Sequence, residues 1–117
     1  MIKRDRLVQT FCDIAKIDSP SGEEEDMAKD LSSRLESLGF TTMRDDYGNL
    51  VATDKRPNPI LLSAHLDTVE PGRGIKPSVE GDKIVSDGTT ILGGDCKAGV
   101  SAILEALESI VEDGVEF

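Results

Sequence analysis

The residues able to do chemistry concentrate in two short segments. The first, Ser63-Ala64-His65-Leu66-Asp67-Thr68-Val69, carries the chain's only histidine, with an aspartate two residues on. In extended backbone, residues two apart project to the same face, so Asp67 is placed to orient the His65 imidazole or to face the same cavity. A metal-ligating histidine commonly takes such a carboxylate on its second ring nitrogen. Taken alone, a histidine at a strand end more often serves as a structural residue with satisfied hydrogen bonds. The second segment, Leu92-Gly93-Gly94-Asp95-Cys96-Lys97-Ala98-Gly99, runs a glycine-rich loop into a helix. There the glycines let backbone approach closely and the helix dipole favours a carboxylate, although Asp95 also reads as an ordinary first-turn residue. The spacing G-x-x-x-x-G-K-[ST] is absent, which excludes a phosphate-loop nucleotide site.

These segments need elements to hold them. Leu7, Val8, Phe11, Cys12 and Ala15 recur at helical spacing from Asp5 onward, and the pattern stops at Ser19-Pro20, where proline disfavours helix in the residue before it. Ser21-Gly22-Glu23-Glu24 fits a capping box for a second helix whose apolar face is Met27, Ala28, Leu31, Leu35 and Leu38, closed by Gly39. The acidic run 23–26 needs no ligand, because the dipole favours carboxylates in a first turn. Phe40 to Arg44 and Leu50 to Thr53 predict a hairpin across Asp45-Asp46-Tyr47-Gly48-Asn49. Pro59 to Ala64, with the continuous apolar run Ile60-Leu61-Leu62, predicts an interior parallel strand that delivers His65 at its C-terminal end. After an excursion from Glu70 to Gly94, with Lys83-Ile84-Val85 as a short strand, a last helix starts near Lys97. It buries Val100, Ile103, Leu104, Leu107, Ile110 and Val111, and it ends at Gly114.

At 117 residues the chain is sized for one α/β domain, and 38% hydrophobic against 31% charged is a globular balance rather than a disordered one. The net charge of −10 removes the attraction to phosphate on which nucleic-acid and anionic-membrane binding depend, so neither is an expected partner. No apolar run reaches the ~18 residues of a membrane span. The start MIKRDRLVQTF lacks a signal-peptide core, and with two well-separated cysteines, Cys12 and Cys96, the expected setting is cytoplasmic.

Together the two segments resemble the di-zinc aminopeptidase, carboxypeptidase and aminoacylase family, and within it the peptidase-T-like (tripeptide aminopeptidase) branch. His65 to Val69 matches the family's H-x-D-T-V, and Gly93 to Gly99 its G-x-D-x-K-x-G. Ile17-Asp18-Ser19-Pro20-Ser21-Gly22-Glu23 and Tyr47-Gly48-Asn49-Leu50 extend the likeness over the chain. The resemblance implies the N-terminal part of a zinc-exopeptidase-type three-layer α/β/α catalytic domain, with a mixed sheet flanked by helices. It also implies that His65 binds one zinc ion, that Asp95 bridges two, and that Asp67 orients His65 and so belongs to the catalytic set. The implied substrate is a small peptide. Related carboxypeptidase or N-acyl amino acid deacylase activity is the alternative enzyme reading.

Two features depart from the family pattern. Cys96 stands where the family usually has a non-thiol residue, either as a plain small side chain or as a thiol that captures metal or oxidises. Family members are also about three times longer. They add a lid and dimerisation domain, a Glu-Glu pair and a second histidine, whereas this chain has one histidine and reaches only Val115-Glu116-Phe117. Residues 1–117 are therefore expected to be an N-terminal portion that is inactive alone, binds zinc weakly and can self-associate through an exposed sheet edge. A noncatalytic metal-binding fragment is the reading of a different class.

Overall fold

The computed structural model describes residues 1–115, so Glu116 and Phe117 lie outside the described residues. Helix α1 (Arg4–Ala15) buries Phe11, Ile14 and Ala15 and stops short of Ser19-Pro20. Helix α2 (Glu25–Ser37) buries Met27, Ala28, Leu31 and Leu35. Gly39, at φ +96°, ends it in the left-handed conformation, with Gly39 N–H donating to Glu36 O and Phe40 N–H to Leu35 O. The capping box does not form: Glu24, not Ser21, precedes the helix, and the Ser21 hydroxyl is committed elsewhere.

Strands β1 (Thr41–Arg44) and β2 (Leu50–Thr53) pair antiparallel as expected. Asp45 organises their turn by accepting from the Tyr47 and Asn49 N–H groups and from the Asn49 amide. Strands β3 (Ser78–Glu80) and β4 (Lys83–Val85) form a second small antiparallel sheet. The expected interior strand over Pro59 to Ala64 is absent. Ile60, Leu61 and Leu62 are 69%, 88% and 49% exposed, and no backbone hydrogen bond reaches residues 59–65 among the described residues. A strand buried on both faces needs neighbours on both edges, and these residues have none beside them. The only parallel pairing among the described residues is the bridge between Pro20 and Thr68, just after His65.

Helix α3 (Gly94–Asp113) opens irregularly. Gly93 is left-handed at φ 84°, Asp95 and Cys96 have non-helical backbone, and regular helix begins at Lys97, whose N–H donates to Gly93 O. Val100, Leu104 and Leu107 then complete one core with Ile14, Met27, Leu31 and Leu35, while Phe11, Ala15 and Ile75 form a second. The buried stripe differs from the expected one at its far end: Val111 is exposed, whereas Ser101, Glu105 and Ser109 are buried. Glu105 and Ser109 face α1, whereas the Ser101 hydroxyl donates back to Lys97 O. The Arg6 guanidinium holds Glu105 through two hydrogen bonds of 2.8 and 2.9 Å, the Lys3 N–H adds one at 2.8 Å, and Ser109 Oγ lies 3.2 Å away. A buried carboxylate persists only when its lone pairs are so satisfied.

Lys97 is enclosed completely, at 0% exposure, and its ammonium donates to Ile17 O at 2.7 Å and Ala15 O at 3.4 Å. It thereby satisfies carbonyls that the end of α1 leaves without helical partners. Burial lowers its pKa, and nearby Asp18 opposes that shift. Lys97→Met is expected to cost about 2–3 kcal/mol, because two buried acceptors lose their donor. A urea midpoint equal to the parent's would refute this. The Arg6 hydrogen bond, ahead of the other contacts, holds the Glu105 carboxyl below its ordinary value of 4.5. Its stabilisation is then complete above that value and is withdrawn as pH falls through the lower folded value. Thermal melts taken from neutral to acid pH should fall more steeply for the parent than for Glu105→Gln, and parallel curves would count against the pairing.

Candidate functional site

Ser19 fixes the segment that carries the histidine. It is fully buried; its hydroxyl donates to Leu66 O at 2.9 Å, and its carbonyl accepts the Thr68 N–H at 2.8 Å. Leu66 to Thr68 are thus tied to the loop after α1. The loop's other end reaches the next residue of chemical interest, because Ser21 Oγ donates to Asp67 Oδ2 at 2.5 Å.

His65 lies between two aspartates. Its Nδ1 is 3.0 Å from Asp67 O and 3.1 Å from Asp67 Oδ1, and its Nε2 is 2.8 Å from Asp95 Oδ1. Asp67 offers Nδ1 only acceptors, which assigns a proton to Nδ1 and turns Nε2 toward Asp95. With acceptors at both nitrogens the imidazole pKa is raised, foremost by the hydrogen bond to Asp95; burial opposes the shift, and Asp67 adds to it. The Ser21 hydroxyl, foremost, lowers that of Asp67. The two segments that the sequence places 30 residues apart therefore meet in one site.

The site opens to solvent: His65 is half exposed and the Asp95 carboxylate 96% exposed. A cavity of about 350 Å³ adjoins it, lined by His65, Asp67, Val69 and residues 91–95. Donor atoms of His65, Asp95 and Cys96 lie within 4.8 Å of one another. An imidazole, a carboxylate and a thiol form a donor set suited to a borderline-soft divalent ion, and the group can hold one. Glu70 and Glu112 are committed to other partners. Glu70 accepts from Gly72 N–H and Arg73 Nε, and Glu112 is bonded to Arg6 toward the far end of α3. The sequence reading missed Ser19 and Ser21 as supports; their only signal was their place in the Asp18-to-Gly22 stretch.

A solved tripeptidase from Staphylococcus aureus superposes with a TM-score of 0.89 at 38% identity, over 97% of this chain and 34% of that one. Over almost all of its own length the chain is similar to tripeptidases and peptidase T proteins of the metallopeptidase family. The aminopeptidase PepT of Bacillus cereus gives the same picture, with TM-score 0.84 and 35% identity over 97% of this chain and 34% of its own. An uncharacterised protein of Bacillus subtilis, YqjE, is 37% identical over 99% of this chain and 34% of its length. No family model matches the chain. The chain spans about a third of the length of the relatives it matches. The likeness covers 97% of this chain, and the α/β class holds.

Gly99 is the residue of the second segment whose side chain the site forbids. A Cβ there would stand 2.7 Å from Cys96 Sγ. Gly99→Ala is expected to destabilise by about 1–2 kcal/mol despite alanine's better helix propensity, and Cys96→Ala is expected to relieve it in the double variant. Unchanged thermal stability of Gly99→Ala, or no relief, would show that the thiol does not occupy that space.

Proposed function

We propose that this chain supplies the His65 and Asp95 portion of a two-zinc centre in a cytoplasmic exopeptidase, most closely an aminopeptidase that cleaves the N-terminal residue of a tripeptide. The observation that carries the proposal is the placement of the His65 imidazole between Asp67 and Asp95 at the mouth of a cavity. Among the described residues, no helix is long and apolar enough to cross a membrane. The two cysteines are free, which suits a reducing compartment.

In this reading each residue has a stated task. Asp67 holds the Nδ1 proton and Ser21 holds Asp67, so the Nε2 lone pair is kept facing the ion. Asp95, with both oxygens open to solvent at the start of α3, presents a carboxylate able to bridge. Val69, Ile91 and Leu92 supply the apolar wall along which a small peptide lies. When bound, the zinc pair would polarise the scissile carbonyl and acidify a water. A centre of this kind also takes a second histidine and a general-base glutamate. The sequence holds one histidine, so those groups come from outside these residues. Residues 1–117 are then an N-terminal portion of a catalytic domain. The exposed Ile60-Leu61-Leu62 strip is the edge that the remaining sheet covers, or through which free copies associate.

Two measurements test the reading. By calorimetry the 117-residue chain should bind zinc weakly, His65→Ala should abolish binding, and Asp67→Ala should weaken it by about 10–100-fold. Exchanged for the matching third of the Bacillus cereus aminopeptidase, the chain should support zinc-dependent tripeptide cleavage that its His65→Ala form lacks. Zinc binding indifferent to His65→Ala would sink the proposal, as would cleavage by the chain alone.

A further inference from the structure

We propose that Cys96 is a third metal ligand, making the centre a mixed nitrogen, oxygen and sulfur site rather than one of imidazole and carboxylates. The inference rests on the metal reading of His65 and Asp95 and adds a donor to it. Successive residues of a regular helix point about 100° apart and cannot both face one ion. Here Asp95 (φ −95°, ψ 99°) and Cys96 (φ −121°, ψ 32°) both leave helical geometry before the helix becomes regular at Lys97. Their side chains instead converge with His65, and the three donor atoms lie within 4.8 Å of one another.

A tetrahedral ion with metal–nitrogen and metal–sulfur bonds of ordinary length holds those donors about 3.5 Å apart, which a modest rotation of the Cys96 side chain supplies. In its present position Sγ packs against Gly99, the residue one turn on, which has no Cβ to crowd it. Cys96 is half-buried, next in sequence to Asp95 at the cavity's edge, so its sulfur is partly shielded from solvent. Binding exchanges the thiol proton for the ion: the S–H bond breaks, the proton goes to solvent, and the sulfur lone pair forms the metal–sulfur bond with no change of oxidation state. Thiolate selects zinc, cobalt and cadmium over the hard ions magnesium and calcium.

Cobalt(II) reports sulfur directly, because a thiolate ligand adds a near-ultraviolet charge-transfer band to the visible d–d bands. Cobalt chloride titrated into the full chain is expected to produce both. Cys96→Ser should lose the charge-transfer band, keep d–d bands from His65 and Asp95, and bind about 10–100-fold more weakly. Cys12→Ser should match the parent, and cadmium but not magnesium should displace cobalt. Visible bands without charge transfer in the parent would overturn the thiolate and leave the His65 and Asp95 reading standing. A charge-transfer band that survives Cys96→Ser, or is lost in Cys12→Ser, would overturn it as well. No cobalt spectrum at all in the parent would defeat both readings.

Discussion

The buried ammonium of Lys97 is the contact on which the site's geometry depends. It bonds the carbonyls of Ile17 and Ala15, so the first regular turn of α3 cannot shift without leaving the end of α1 unsatisfied. Two residues before Lys97 stands Asp95; two residues after Ile17 stands Ser19, which brackets Leu66 and Thr68. One enclosed donor therefore sets the distance between the loop that carries Asp95 and the loop that steers the histidine. A lysine is costly to bury, and this one is buried where both halves of the site are anchored.

Charge is divided along α3 in the same spirit. Toward the helix's far end, Arg6 is hydrogen-bonded to Glu105 and Glu112, and Lys3 also reaches Glu112, so negative charge there is compensated. At the near end, Asp67 and Asp95 have only the imidazole and a serine hydroxyl between them. In a chain of net charge −10, Asp67 and Asp95 thus add, beside the cavity, two carboxylates with no Lys or Arg partner among the described residues, which favours cations there before any specific contact forms.

The parts of this arrangement that were legible in the sequence are those set by short-range rules. The two-residue offset of His65 and Asp67 and the entry of Asp95 into a helix follow from periodicity, and the structure brings His65 against both aspartates. Left-handed glycines at 39 and 114 close helices as their positions foretold. Long-range partners were not legible. Ser21 looks like a cap because capping is local, yet its hydroxyl is claimed by Asp67, 46 residues away. Glu105 looks like a solvent-facing residue, because nothing nearby announces that Arg6 packs over it. Ile60-Leu61-Leu62 reads as interior because an apolar run encodes burial without naming what buries it, and none of the described residues does.

That exposed run has a consequence for affinity. His65 sits between a pinned stretch, Leu66 to Thr68, and a stretch with no backbone partners, residues 59–65. Ordering such a stretch costs roughly 1–2 kcal/mol per residue in chain entropy. Whatever settles on the histidine, ion or protein surface, must supply that free energy unless the run before it is already held. A covered Ile60-Leu62 edge and a tightly loaded centre are then two aspects of one equilibrium, each favouring the other without any contact between them.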